Sequence, residues 1–194
     1  MFIEAVIISI IIGLFRGGKL RRYKFVNHGT MWLLLLGMLI QYILISLNKT
    51  EEISGITKIL VYTKQILIVS YILILIGIVT NHKFKGLWTA SIGFLMNFLV
   101  MVLNGWKRPV LMEAIELIDP PELTEMIELG KSTLYTPIVE NTKYPVLGDI
   151  IVFANPYPIS RIISLGDIII SFGIFVLIQE IMLSEDSFMG GYKL

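Results

Sequence analysis

The chain has 194 residues, of which 55% are hydrophobic and only 16% are charged, and its formal net charge is +1. Soluble domains carry about 25% charged residues, so this composition and a mean hydropathy of +0.79 exclude an ordinary soluble domain and favour a membrane protein. The chain contains no cysteine, which excludes disulfides, thiolate metal sites, cysteine nucleophiles and lipidation at cysteine.

Five apolar segments predict membrane-spanning helices, in chain order roughly Phe2–Phe15, Gly29–Leu47, Ile59–Val79, Leu87–Leu103 and Ile162–Leu183. A helix needs about 20 apolar residues to cross a hydrocarbon core of about 30 Å, and the three middle segments meet that requirement. The first segment is short. No basic region precedes it and no small-residue cleavage site follows it, so we interpret it as an uncleaved first helix rather than a signal peptide.

The charges beside the spans predict the orientation, because Lys and Arg are retained on the cytoplasmic side. With the loop after the first span inside, eight basic residues on the inner side face two acidic ones and give a net charge of +6. On the outer side, seven basic residues face ten acidic ones and give −3. We therefore predict a protein of the bacterial plasma membrane with its N-terminus outside and its C-terminus in the cytoplasm.

The first inner loop carries a cluster of basic residues directly beside a span. Lys and Arg also bind the phosphates of nucleic acids, but at this position they favour contact with the headgroups of the inner leaflet. The predicted headgroup contacts are Arg16, Lys19, Arg21, Arg22 and Lys24.

Residues 104–161 are the only segment long enough for a role besides spanning, and we predict a small extracytoplasmic cap. Pro109–Ile118 predicts one short amphipathic helix with Pro in its first turn. A second short helix is predicted to run to Gly130. Asp119 is its predicted N-cap, with Glu122 three residues later, as in a capping box. The β-branched residues and prolines that follow predict short strands or irregular extended segments. The predicted organisation is thus 1–103 in the membrane, 104–161 outside, and 162–194 as the fifth span and the tail.

The pentapeptide LGDII occurs twice, at residues 147–151 and 165–169. Chance in an Ile-rich chain explains it as well as a structural role does. In the structural interpretation, each Gly-Asp forms a turn whose carboxylate accepts backbone N–H groups at the start of the next element.

A polar residue inside a span needs a structural or functional explanation, because placing a charge at the centre of a membrane helix costs about 2.5–3.5 kcal/mol of free energy. Lys64 is predicted to pair with Asp167 or Glu4, and Arg108 and Asp149 to extend the network outward. Two interpretations stay open: a polar cluster that fixes helix register or reaches the interface, and an outward-opening site for a solute, a lipid headgroup or an ion. The candidate outer polar network is Glu4, Gln41, Lys64, Asn104, Arg108, Asp149 and Asp167.

No catalytic constellation is evident in the sequence. Gly130-Lys131-Ser132 imitates the end of a phosphate-binding loop, but Glu125 stands where that motif requires glycine. The two histidines, His28 and His82, have no ligand partners at metal spacing. We therefore expect neither an enzyme nor a bound cofactor or metal.

The chain resembles a family of bacterial multi-pass membrane proteins catalogued as a domain of unknown function. The resemblance rests on GLFRGGKL after the first span, LNGWKRPV after the fourth, and LGDII followed by NPYPISRIISLGDIII before the last. The family pattern has Asn-Gly-Gly followed by Met-Pro-Val where this chain has residues 104–110, so Trp106 stands where the family has its second glycine. This departure puts a close-backbone role at that position in doubt. The resemblance implies a bacterial plasma membrane and supplies no reaction.

Taken together, the sequence favours an all-α membrane protein of about five transmembrane helices, non-enzymatic, acting as an accessory, assembly or sensory subunit. The expected partners are membrane lipids and a protein or a second copy of the chain, with no role for nucleic acid. The alternative is a small transporter or a ligand- or lipid-binding protein that uses the outward-facing polar network. A third hypothesis is a membrane enzyme that acts on lipid-linked substrates through outer carboxylates.

Overall fold

The computed structural model describes residues 2–20, 30–48, 60–118, 121–154 and 160–183. Within these ranges the first four helices are α1 (Phe2–Phe15), α2 (Met31–Asn48), α3 (Thr63–Thr80) and α4 (Lys85–Leu103), which with the last helix, α7, are the five long ones. They are followed by β1 (Arg108–Val110), α5 (Met112–Glu116), α6 (Pro121–Glu128), β2 (Tyr135–Pro137), β3 (Ile151–Phe153), β4 (Arg161–Ile163) and α7 (Leu165–Leu183).

Four of the described helices, α2, α3, α4 and α7, are long and apolar enough to cross a membrane. Their outward surfaces carry large apolar side chains, and Ile72, Leu75, Ile92 and Leu95 are each more than half exposed, as is typical of lipid-facing residues. α1 is apolar but has only 14 residues, or about 21 Å of helix. The helical membrane fold is therefore supported, with four of the five predicted spans meeting the length requirement.

The helix bounds lie within four residues of the predicted spans: α3 begins at Thr63 where Ile59 was expected, and α7 also begins later than expected. The last span was predicted from Ile162, but Arg161–Ile163 forms strand β4 and the helix begins at Leu165. Ser164 explains this boundary, because its hydroxyl accepts a hydrogen bond from the Asp167 N–H at 3.0 Å and so caps the helix.

Helix α7 lies between α1, which is parallel to it, and α4, which is antiparallel to it, while α2 pairs with α3. Glycines make the α4–α7 contact a close one. A Cβ atom at Gly93 would lie 2.4 Å from the carbonyl oxygen of Gly166, and one at Gly173 would lie 2.4 Å from the backbone nitrogen of Ala90. Small residues that let helix backbones approach are the usual means of packing between membrane helices.

Between α4 and α7 the chain folds over one end of the helices, and we call its described residues between 104 and 164 the end layer. Strands β1 and β2 pair in parallel, with Arg108 opposite Tyr135. Strands β3 and β4 pair antiparallel, with Ile151 opposite Ile163. Asp149 joins the two pairs through a bridge to Val110. The prediction of short extended segments after Gly130 is confirmed by β2, β3 and β4.

The predicted helix over Pro109–Ile118 is wrong in its first turn. Arg108–Val110 is a strand instead, since the Arg108 N–H donates to the Leu134 carbonyl at 2.7 Å and the Val110 carbonyl accepts from Ile138 at 3.0 Å. Pro109, which has no N–H, is tolerated there because a short edge strand can accommodate a residue that donates no ladder bond. The helix that follows spans only Met112–Glu116.

The end layer has a small apolar core of its own, formed by Val110, Ile115, Leu123 and Ile127. Helix α6 contributes Leu123 and Ile127 to this core and leaves Glu125 and Glu128 exposed. The predicted cap of this helix, Asp119, lies outside the described residues, and so does the side chain of Glu122.

Candidate functional site

A largely buried ion cluster forms where the end layer meets α7. Nη2 of Arg108, on β1, lies 2.7 Å from Oδ1 of Asp149 and 3.2 Å from Oδ2 of Asp167, in the first turn of α7. The three side chains are 18%, 6% and 14% exposed. One guanidinium thus binds one carboxylate from the layer and one from a membrane helix, which joins these two parts of the molecule.

The two LGDII segments supply both carboxylates of this cluster. A Cβ atom at Gly148 would lie 2.7 Å from the Pro109 carbonyl oxygen, and one at Gly166 would lie 2.1 Å from Oδ1 of Asn97. In each copy, therefore, glycine permits a close approach immediately before the aspartate. Asp149 then lies against β1, where its N–H donates to Pro109 and its carbonyl accepts from Leu111. The repeated sequence has a shared structural outcome, since both copies direct an aspartate to Arg108.

Only the second copy uses its carboxylate at a helix start. Oδ2 of Asp167 accepts the Ser164 N–H at 3.2 Å while the Ser164 hydroxyl accepts the Asp167 N–H, which is the reciprocal arrangement of a capping box. Asn97 of α4 donates to Oδ1 of Asp167 at 2.8 Å and accepts from the Ser164 hydroxyl at 2.8 Å. The carboxylate of Asp149, by contrast, faces Arg108 and caps no helix.

The cluster holds two acidic groups for one basic group, which sets its electrostatics. Burial raises the pKa of Asp149 to about 6; Asp167 acts in the same direction, and Arg108 opposes them. Burial alone disfavours the charge of Arg108, but Asp149 and Asp167 outweigh it and hold the pKa of Arg108 above its ordinary value. The guanidinium therefore stays charged, and Asp149 is the carboxylate placed to take up a proton.

A cavity of about 120 Å³ adjoins the cluster, between the end layer and the ends of α1, α2, α4 and α7. Its polar lining includes Gln41, Asn97 and Tyr135 beside the three charged residues, and its apolar lining includes Phe2 and Ile170. This volume has room for several water molecules or one small polar solute.

The predicted network divides into separate parts. Glu4 binds Arg161 of β4 through both carboxylate oxygens, one of them 3.3 Å from Nη1 of Arg161. Gln41 lines the cavity and donates to the Ser70 hydroxyl at 3.2 Å. The predicted pairing of Lys64 with Asp167 or Glu4 is wrong, because those carboxylates bind arginines and the Lys64 ammonium lies 5.2 Å from the centroid of the Trp106 ring.

Asn104 lies at the end of α4, away from the ion cluster. Its amide donates to the Lys143 carbonyl and its oxygen accepts the Lys143 N–H, both at 2.9 Å. Gly105 and Trp106, which follow it, have φ values of 71° and 67°, and the Trp106 N–H donates to the Met101 carbonyl at 2.8 Å, as in a Schellman helix end. Trp106 is thus in the left-handed region, a conformation that suits glycine better than tryptophan.

At the other end of the helices, Arg16 donates to Oε1 of Gln179 at 3.0 Å, and Lys19 is exposed. Nearby, the Glu180 carboxylate accepts the N–H groups of Lys85 and Gly86 at the start of α4. The remaining predicted headgroup contacts, Arg21, Arg22 and Lys24, lie outside the described residues.

Every one of the five long helices makes a polar contact with the end layer. Thr133 of the layer contacts α2 and α3, donating to Oδ1 of Asn48 at 3.1 Å and lying 3.1 Å from the Thr63 hydroxyl. The contacts of α1, α4 and α7 are those of Glu4 with Arg161, Asn97 with Ser164 and Asp167 with Arg108.

Two residues of the site, Asn97 and Ser164, are absent from the predicted network. Both carry a sequence signal: Asn97 is seven residues before Asn104 and so lies on the same face of α4, and Ser164 is three residues before Asp167, the spacing of a capping box. The partner of Glu4, Arg161, is 157 residues away in sequence, and no local pattern reveals such a pair.

Comparisons with known proteins give a family and one relative. The model of DUF5317, a family of unknown function, matches residues 24–179. An uncharacterized protein of Thermotoga maritima (strain ATCC 43589 / DSM 3109 / JCM 10099 / NBRC 100826 / MSB8) is 26% identical over 114 residues, which cover 58% of this chain. The aligned part spans 62% of the length of that relative. No solved structure matches the chain.

Proposed function

The chain belongs to DUF5317, a family of unknown function, and we propose that it is a non-enzymatic subunit of a bacterial membrane system whose end layer is the working surface. In this proposal α1 completes a bundle of five membrane helices, the end layer lies outside the plasma membrane, and both the N-terminus and the start of α7 are on that side. The chain then acts as an accessory, assembly or sensory subunit. The bacterial setting is supported by the relative in Thermotoga maritima.

One observation carries this proposal: the end layer has a polar contact with each of the five long helices described, and the contact to α7 is the ion cluster of Arg108, Asp149 and Asp167. A buried ion pair is weak support for stability in itself, but breaking one is strongly destabilising, so it holds its two partners in a fixed relation. A layer held in this way presents a surface of constant shape, which suits a binding or assembly subunit.

The binding of both carboxylates by Arg108 supports a role without catalysis. Asp149 and Asp167 are the acidic residues that line the cavity, and Arg108 binds both of them. A general base needs a carboxylate within hydrogen-bond reach of a substrate proton, and here the carboxylates are committed to structural partners.

Purification in mild detergent from the native membrane, with mass spectrometry of what is retained, tests the proposal. We expect a stoichiometric protein partner, and we expect it to be lost when the exposed face of α6 is reversed by Glu125→Lys with Glu128→Lys. The matched control is Lys83→Glu at the opposite end, which should retain the partner. Recovery of the chain alone from the native membrane would contradict the proposed role.

The cavity supports a second candidate, a ligand-binding protein or small transporter for a small polar solute. Its lining combines the donors of Gln41, Asn97 and Arg108 with the Tyr135 ring, and its 120 Å³ suits a small solute rather than a lipid. Mass spectrometry of the same preparation tests it. A retained solute that Gln41→Leu abolishes would favour this candidate, and its absence together with a retained protein partner would favour the first.

A further inference from the structure

A second feature of the molecule lies on the opposite side of Tyr71 from the ion cluster. Helices α3 and α4 follow one another in sequence but pack only loosely together, and an apolar groove of about 340 Å³ runs between them. The groove is lined by residues such as Ile68, Leu75, Ile78, Leu95, Phe98 and Trp106. Because Leu75 and Leu95 are more than half exposed, the groove opens toward the lipid.

The length of the groove corresponds to one leaflet. Along α3 it extends from Ile68 to Ile78, and ten residues of helix rise about 15 Å, which is half of a hydrocarbon core of about 30 Å. It begins at the end-layer side, where Trp106 lies just beyond the end of α4. The groove therefore matches a single acyl chain that enters from the leaflet on that side.

The end of the groove near the layer carries a positive charge. The ammonium of Lys64 is exposed and lies 5.2 Å from the centroid of the Trp106 ring, within cation–π range, and no described residue forms an ion pair with it. Trp106 packs edge-on against Phe98, and Phe98 packs edge-on against Tyr71, at centroid distances of 6.0 Å and 5.0 Å. These rings give the lysine a fixed position above the apolar lining.

We propose that this groove binds one anionic phospholipid, with an acyl chain between α3 and α4 and its phosphate against Lys64 and Trp106. The apolar lining takes the chain, the ammonium of Lys64 takes the negative headgroup, and the indole lies at the level of the headgroups, where tryptophan is favoured. The proposal rests on the chain spanning a membrane and not on the role of the end layer, so it stands or falls separately from the partner experiment.

Quenching of Trp106 fluorescence by lipids with brominated acyl chains tests the proposal. Trp32 and Trp88 lie at the opposite end of the helices, so Trp32→Phe with Trp88→Phe leaves Trp106 as the reporter in the full-length chain in detergent. We expect brominated phosphatidylglycerol to quench it with saturation, and brominated phosphatidylcholine to require a concentration at least about fivefold higher, as expected for one basic contact.

The charge variant is Lys64→Gln, which should bring the two lipids to equal affinity, and its control is Lys131→Gln, an exposed lysine of the end layer that should leave the preference intact. The steric variant is Leu95→Trp, which fills the groove and should abolish the phosphatidylglycerol retained in native mass spectrometry. Leu99→Trp, on a lipid-facing position outside the groove, should retain it.

Equal quenching by the two lipids in the Trp32→Phe/Trp88→Phe protein would overturn the proposal, and so would an unchanged lipid preference when Lys64→Gln is added to it. Retention of phosphatidylglycerol by a folded Leu95→Trp protein would place the lipid elsewhere. If Leu95→Trp does not fold, the comparison of Lys64→Gln with Lys131→Gln decides the matter alone.

Discussion

Arg108 is the one basic residue in the cluster with Asp149 and Asp167, so three ionised side chains have a net charge of −1. Replacing Arg108 by Met would leave both carboxylates buried without their cation. Loss of one partner from a buried ion pair costs about 3–5 kcal/mol. We expect Arg108→Met to lower the free energy of unfolding by that amount, measured by thermal or denaturant unfolding in detergent.

The matched control is Lys107→Met, which removes a neighbouring positive charge whose ammonium lies 3.5 Å from the Gly130 carbonyl at the surface. It should change stability by less than about 0.5 kcal/mol. Equal stability of the two variants would show that Arg108 has no special role.

The pKa of Asp149 makes stability depend on pH. The folded protein binds the proton of Asp149 more tightly than the unfolded chain does, since burial raises this pKa from 3.8 to about 6. The contribution of Asp149 is therefore most favourable below pH 4 and is lost as the pH rises through 6. We expect the melting temperature of the parent, minus that of Asp149→Asn, to fall between pH 4 and pH 7. A difference that rises over this range would mean that Arg108 dominates and the pKa of Asp149 is lowered.

For single residues, sequence position was enough to predict that Glu4, Gln41 and Asp167 lie near the same end of the helices. It was not enough to predict the pairing. Lys64 and Arg108 are both cations near Asp167 in the predicted topology, and only the strand geometry of β1, which places Arg108 between two aspartates, decides which one binds it.

At the scale of elements, α4 and α7 are held together by contacts between backbones. A Cβ atom at Gly93 would lie 2.4 Å from the Gly166 carbonyl oxygen and 2.9 Å from the Ile170 nitrogen. Because backbone atoms cannot move aside singly, we expect Gly93→Ala to destabilise the protein by about 1–3 kcal/mol, the usual range for overpacking. Thermal unfolding in detergent measures this effect.

The control is Ile92→Ala, which introduces the same residue at the adjacent lipid-facing position, where the side chain is 56% exposed. It should have a small effect. If Gly93→Ala were as stable as Ile92→Ala, the close approach of α4 and α7 would be refuted.

Helices α2, α3, α4 and α7 could be predicted because their apolar runs are as long as a membrane requires. The helix over Pro109–Ile118 could not be corrected from sequence, because Pro109 fits both the first turn of a helix and a short edge strand. The choice is made by β2, which lies 27 residues further on and pairs with it in parallel.

At the scale of the whole molecule, the proposed topology places α6 outside the cell and the turn between α3 and α4 inside. The chain has no cysteine, so single cysteines report on it without background. We expect Glu128→Cys to react with an impermeant maleimide in intact cells and Lys83→Cys to react only after the membrane is opened; both positions are exposed. The opposite labelling pattern would invert the orientation.

Arg108 joins the end layer to the long helices through its contacts with Asp149 and Asp167. Hydrogen–deuterium exchange with mass spectrometry tests it directly, because it reports backbone protection separately for each segment. In Arg108→Met we predict faster exchange across β1, β2 and the bridge at Asp149, with α3 and α4 as protected as in Lys107→Met. Unchanged protection of the end layer in Arg108→Met would contradict the claim.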